Sequence, residues 1–249
     1  MSLLDLALLL AAALAAGVLN AVAGGGTFLT FPALVAVGVP PVMANATSSL
    51  AAIPGYAGGS LGFKSELQEL PRHVLKIEVA VAVVAGLIGA GLLLVTPDRL
   101  FGGLVPWLLG LATALFALGP RLSRMGKHGS PLTQWRLPGL FVVCVYGGYF
   151  NGGLGILLMA LYGATGETRI NTANGLKSLI SLVLALASVA AFAAAGSVDW
   201  KAAPIMMVGT ALGGYWGAKW AKRLPSAWVR AVVVITGVVM TAIFFLRAA

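Results

Sequence analysis

Asn174, Lys177, Ser178 and Ser181 fall at i, i+3, i+4 and i+7, so on a helix they share one face. The surrounding run is made chiefly of Leu, Ile, Val and Ala. An ionisable side chain inside an apolar segment is costly and usually faces a cavity or a transport pathway. If Lys177 binds, it is the counter-charge for an anion. The alternative is that its long stem snorkels to the inner interface. Two further runs carry polar groups into apolar surroundings. Asn45, Thr47, Ser48 and Ser49 open one segment, and Asn171, Thr172 and Asn174 open another. Helix capping accounts for the first residue or two of each run but not for the later ones.

Glycines supply the second kind of site. AVAGGGTF at 21–28 sets Gly24, Gly25 and Gly26 inside an apolar segment, and YFNGGLGI at 149–156 does the same with Gly152 and Gly153 after Asn151. Glycine in a helix interior costs about 1 kcal/mol against alanine and frees backbone groups. Irregular backbone at membrane depth is tolerated only against protein or a water-filled cavity. A half-helix starting after such a break presents free N–H groups and the positive end of its dipole, which suits an anion. The competing role is close helix packing through small residues. Gly209, Gly213 and Gly217, like Gly55 and Gly59, repeat at i+4 and are expected to be packing faces of that kind. The GGLG stretch is not a phosphate loop, because no lysine and Ser/Thr pair follows it.

Other chemistries have no visible residues. His73 and His128 lie in loops without a second ligand at metal spacing, and no Ser/His or Asp/Asp constellation sits in the apolar segments. Cys144 is the single cysteine, so no intrachain disulfide is possible and packing is its expected role. No ATP-binding motif is present. The chain is therefore expected not to be an enzyme and to need no cofactor. Glu78, near the inner end of its segment, and Glu167 with Arg169, just before a segment, are expected at the interface. Proton coupling and a local ion pair are their alternatives.

The elements that must position these groups follow from composition. The chain is 59% hydrophobic and only 9% charged, with a mean hydropathy of +0.98. A soluble domain carries about 25% charged residues. The apolar stretches are too long for barrel strands, so an all-α membrane bundle is expected. Its segments run about 3–37, 43–63, 73–95, 98–118, 137–162, 171–196, 200–222 and 226–247. The net charge of +9 falls mostly in loops, which is the positive-inside pattern rather than a nucleic-acid surface. The first run lacks a basic n-region and carries Asp5, so it reads as a membrane element and not a cleaved signal.

The basic stretch at 120–136 divides two similar halves, 1–119 and 137–249. Laying residue 24 on residue 151 without gaps puts Gly25 and Gly26 on Gly152 and Gly153, and Ala46 on Ala173. Arg121, Arg124, Lys127 and Arg136 place the central loop in the cytoplasm. Lys64, Arg72 and Lys76 do the same for the 64–76 loop, and Lys219, Lys222, Arg223 and Arg230 for the 219–230 loop. Segment 5 must then leave and return on the inner side, which a single crossing cannot do. A re-entrant hairpin broken at Asn151-Gly152-Gly153 resolves this, and by the same logic segment 1 breaks at Gly24-Gly25-Gly26. Each half then has three crossings, so the second half is inverted relative to the first, the usual build of secondary transporters.

The stretch GVLNAVAGGGTFLTFPALVAVGVPPVMANATSSLAAIPG at 17–55 resembles the start of the sulfite exporter TauE/SafE family, with Gly24, Gly25, Gly26, Pro32, Ala46, Thr47 and Ser48 in the matching places. Asn151, Gly152, Gly153, Asn174 and Lys177 look like the family's second motif, although Asn174-Gly175 stands where the first copy has Thr47-Ser48. The resemblance implies an inner-membrane permease for sulfite, sulfonates or related anions. The reading is thus a secondary transporter of a small anion, an exporter of sulfite or an organosulfonate by alternating access. The candidate substrate-binding residues are Gly24, Gly25, Gly26, Asn45, Thr47, Ser48, Asn151, Gly152, Gly153, Asn174, Lys177 and Ser181. Its partners would be the anion, the bilayer and a coupling proton or sodium ion, with oligomeric state open. The alternatives are an uptake permease or channel for another small organic anion, and a membrane scaffold protein without transport.

Overall fold

A computed structural model describes residues 1–125, 132–221 and 226–248. Lys127, His128, Lys222 and Arg223 lie outside the described residues, as do the side chains of Arg121, Arg124, Lys219, Trp220, Trp228 and Arg230. Among the described residues the secondary structure is entirely helical: α1 (Leu3–Ala23), α2 (Thr27–Ala36), α3 (Pro41–Gly62), α4 (Lys64–Gln68), α5 (Arg72–Leu94), α6 (Asp98–Met125), α7 (Arg136–Tyr149), α8 (Leu154–Ala164), α9 (Ile170–Ala194), α10 (Ala203–Ala221) and α11 (Ser226–Ala248), with a 3₁₀ turn at Thr133–Trp135. Leu3–Ala21, Arg72–Leu94 and Ile170–Ala194 are each long and apolar enough to cross a membrane. On α5 the side chains of Ile77, Val84, Leu87, Ile88 and Leu92 are exposed, as a lipid-facing surface requires.

Both glycine breaks form where the sequence puts them. α1 stops at Ala23 because Gly24 takes a left-handed conformation, φ 79°, and its N–H closes back on the Asn20 carbonyl. α7 stops at Tyr149, and Gly153, φ 78°, starts α8. At each break the chain doubles back. A Cβ on Gly26 would meet the Ala16 carbonyl and Asn20, so α2 returns alongside α1. Gly147 faces Leu154 near the tip and Gly139 faces Leu161 near the base, so α7 and α8 are antiparallel. With 10 and 11 residues, α2 and α8 are only about 15–17 Å long, half a bilayer core.

Glycines set the closest helix crossings. Gly17 meets the backbone of Thr210 and Gly214, and Gly213 and Gly217 meet that of Leu14 and Val18, so α1 and α10 run parallel in near-backbone contact. α5 and α7 do the same through Gly86, Gly89 and Gly148. α3 and α9 are antiparallel, with Gly59 against Ser178 and Gly175 against Phe63 and Leu67. α6 and α11 are also antiparallel, with Gly110 against Thr241 and Gly237 against Thr113. Gly209 likewise faces Ala13 and the Leu10 carbonyl, so the packing role expected for Gly59, Gly209, Gly213 and Gly217 is what these contacts show.

The connections gather at two ends of the bundle. At one end Arg169 pairs with Glu69 at 2.9 Å, and Thr133 donates to the Thr165 carbonyl. At the other, Asp98 accepts from the Val42 N–H at 2.9 Å, and the Asp199 N–H donates to Thr47 at 2.9 Å. α6 runs seven residues past the expected end of its segment, to Met125. Glu78 corrects the reading of an interfacial carboxylate: its side chain is fully buried and paired with Arg136 at 2.7 Å. A sequence window cannot see a partner 58 positions away.

Candidate functional site

The two breaks meet at the centre of the molecule. Residues 24–26 and 151–156 are all buried. A Cβ built on Gly24 would lie 3.3 Å from Gly155 Cα and 3.8 Å from Lys177 Cδ. One on Gly155 would lie 3.2 Å from Gly24 Cα and 3.4 Å from Lys177 Cδ. The lysine stem therefore lies over both breaks. Its ammonium, two bonds beyond Cδ, donates to Asn174 Oδ1 at 3.1 Å, and Asn174 is itself oriented by its Nδ2 donating to the Ile170 carbonyl at 3.0 Å.

Broken helices leave carbonyls as well as N–H groups unpaired. Here the carbonyls are taken up by side chains. Asn45 Nδ2 donates to the Tyr149 carbonyl at 3.1 Å, Thr27 to that of Asn151 at 3.3 Å, and Tyr146 to that of Gly152 at 2.8 Å. No side chain caps α2 or α8; instead the N–H groups of Phe28 and Leu29 bond back to the Gly25 and Gly26 carbonyls, and those of Leu154 and Ile156 to the Asn151 and Gly153 carbonyls. Asn151 Oδ1 accepts from Tyr56 at 3.2 Å, which turns Nδ2 away, buried and without a partner. Ser181 Oγ is buried without a partner too. The Asn151 amide and the Ser181 hydroxyl are thus spare beside one cation, an arrangement that can receive electron-rich oxygens.

The predicted residues thus fall into groups. Gly24 and Lys177 converge on Gly155, which the sequence reading did not include, with Asn174 on the ammonium. Asn151, Gly152 and Gly153 form the second break, and Asn45 reaches it from α3. Ser48 sits behind the first, its Oγ 2.6 Å from that of Thr30. Thr47 turns elsewhere: it donates to the Met43 carbonyl at 2.7 Å and accepts from Asp199, so its hydroxyl is used in joining α3 to the loop before α10. Sequence reasoning passed over Thr27, Thr30, Tyr56 and Tyr146. Thr27 directly follows the glycines, and Tyr56 stands at i+7 from Ser49, so the helical spacing that singled out Lys177 could have found both. Beside the first break, Asn20, Gly26, Thr27, Thr30, Gly55 and Thr210 line a small, partly open cavity.

Among the described residues no group of three His, Cys, Asp or Glu could hold a metal ion. The family model described as "Sulfite exporter TauE/SafE" matches residues 9–244. A "Probable membrane transporter protein" of Haemophilus influenzae is 31% identical over 95% of this chain and 93% of its own length. The "Probable membrane transporter protein YfcA" of Escherichia coli is 27% identical over 92% of this chain and 86% of its own. No solved structure matches.

Proposed function

The chain belongs to the sulfite exporter TauE/SafE family of membrane transporters, and on that premise we propose that it is a secondary transporter that exports a small anion of the sulfite or organosulfonate class by alternating access. It is a multi-pass membrane protein. The observation that carries the proposal is the meeting of the two glycine breaks under Lys177. The positive dipole ends of α2 and α8, with Asn45, Ser48, Asn151, Gly152, Gly153, Asn174 and Ser181, supply polar surroundings. Lys177 supplies positive charge. Gly24, at the end of the Gly24–Gly26 break, meets Gly155 and lets the two backbones approach closely enough for one anion to touch both half-helices.

Two inverted repeats, 1–119 and 137–249, joined by a cytoplasmic linker at 120–136, are the proposed frame. The helix pairing supports it. Matching α1, α2, α3, α5 and α6 with α7, α8, α9, α10 and α11 turns the α1–α10 contact into α7–α5, and α5–α9 into α10–α3. The pairs that map onto themselves, α3–α9 and α6–α11, are antiparallel, as a two-fold axis in the membrane plane demands. α1 runs with α10 from the end holding Asp199, while α7 runs with α5 from the end holding Glu69, so the hairpins enter from opposite ends. The charges of Lys64, Arg72, Lys76 and Arg136 assign the Glu69 end to the cytoplasm.

Counterflow of radiolabelled sulfite in proteoliposomes, competed by sulfonates, sulfate and carboxylates, tests the reading. Saturable exchange that Lys177→Ala abolishes is the expected result. Folded protein that exchanges no anion removes the proposal. Flux that neither saturates nor shows counterflow replaces the carrier with a channel.

A further inference from the structure

Glu78 has no part in the site just described, yet it touches both ends of the hairpin that forms it. Its Oε1 accepts from Nε of Arg136, the first residue of α7, at 2.7 Å. Its Oε2 accepts from the hydroxyl of Tyr162, in the last turn of α8, at 2.9 Å. The Arg136 guanidinium also lies over the Tyr162 ring, 5.0 Å from its centre. Glu78 and Tyr162 are fully buried, and Arg136 is 21% exposed. One carboxylate on α5 thus closes the base of the α7–α8 hairpin, whose tip carries Asn151, Gly152 and Gly153.

The fold does not need an ion pair at this place. At the offset that lays residue 24 on residue 151, the counterparts of Arg136, Tyr162 and Glu78 are Leu9, Val35 and Ile205, all apolar. At the matching place the first hairpin carries only apolar residues, and buried ion pairs are rarely more stabilising than apolar residues of like volume. A charged hold at one hairpin only therefore calls for a role beyond stability. It is directional as well, since both oxygens of one carboxylate are committed to donors on two helices.

We propose that Glu78 is a positioning residue for transport, holding Arg136 and Tyr162 together so that the α7–α8 tip presents Asn151 to the anion. The proposal rests on the reading of that tip as part of the binding site. Glu78→Gln keeps the shape but removes the charge that orients Arg136. The base of the hairpin then opens more often, and the tip binds anion less well without losing the path.

Cys144 gives a readout separate from transport. It is the only cysteine in the chain, lies on α7 between base and tip, and is fully buried. Its alkylation by N-ethylmaleimide, measured in proteoliposomes before sulfite is added, reports hairpin opening. In Glu78→Gln we expect alkylation about tenfold faster, half-saturating sulfite about tenfold higher, and maximal flux within about threefold of wild type. Alkylation and half-saturation both within about twofold of wild type overturn the proposal. So does faster alkylation with unchanged half-saturation, because Glu78 is then merely structural. If Glu78→Gln does not fold, Tyr162→Phe decides by the same two readouts, with about threefold changes expected from the loss of one hydrogen bond. Faster alkylation in protein that exchanges no anion overturns the transport reading and leaves the hold on the hairpin in place.

Discussion

The hydroxyl of Thr27 donates to the carbonyl oxygen of Asn151 across 3.3 Å, joining the first residue of one half-helix to the break that precedes the other. The bond is buried, and its partners lie 124 positions apart. It ties the two breaks into one unit and occupies an acceptor beside the unpartnered Asn151 amide. Asn151 then faces the centre with an amide whose Nδ2 has no partner.

That amide is expected to bind oxygens of the anion directly. Asn151→Ala should raise half-saturating sulfite about tenfold, the cost of one hydrogen bond to a charged group. Asn151→Asp keeps the shape but places a carboxylate among the half-helix N-termini, where it competes with the anion, and should abolish exchange. Counterflow on protein that elutes as a single folded species checks both. Equal effects of the two substitutions would mean that charge at this position is immaterial.

Thr47 makes a contrasting case. Its hydroxyl holds the Asp199 N–H, so Thr47→Val leaves that donor unpaired in a half-buried contact. The expected cost is about 1–3 kcal/mol of stability, read as a lowered thermal midpoint in detergent, with half-saturation unchanged. A raised half-saturation at unchanged midpoint would return Thr47 to the site.

These two residues show what the sequence could and could not reveal. The breaks at Gly24–Gly26 and Asn151–Gly153 were legible because glycine within an apolar run has a local cost that needs a local reason. The helical stripe through Lys177 was legible because periodicity is local too. Thr47 sits in a run with Asn45 and Ser48, and only the fold shows that its hydroxyl meets a loop 152 positions away. The sequence points Glu78 to the interface because its neutralising Arg136 lies 58 positions away, past the end of the first half. Long-range partners decide the role of a buried polar group, and spacing along one helix does not contain them.

Close approach at the breaks should be measurable in stability. A Cβ at Gly155 would lie 3.1 Å from the Gly24 carbonyl oxygen and 3.2 Å from its Cα, neither of which is a flexible side chain. Gly155→Ala is expected to cost about 1–3 kcal/mol and to impair exchange. Gly58, inside α3, has nothing within 4 Å of such a Cβ, so Gly58→Ala should be neutral or stabilising by up to about 1 kcal/mol with exchange intact. Thermal unfolding of the pair, each beside wild type, checks the contrast. Equal midpoints would show that the breaks can separate at no cost.

Ser181 offers the cleanest separation of binding from packing. Its Oγ is buried on α9, one turn beyond Lys177 and Ser178, and has no hydrogen-bond partner. A buried hydroxyl in that state stabilises nothing, and removing it relieves a desolvation cost of about 1 kcal/mol or more. Ser181→Ala should therefore leave the thermal midpoint unchanged or raise it. If the hydroxyl is kept free for the anion, the same substitution should raise half-saturating sulfite about fivefold, the weight of one neutral hydrogen bond. Opposite signs in stability and affinity are the signature of a group reserved for a ligand. A raised midpoint with unchanged affinity would remove Ser181 from the site and confine binding to Lys177, Asn174 and the two breaks.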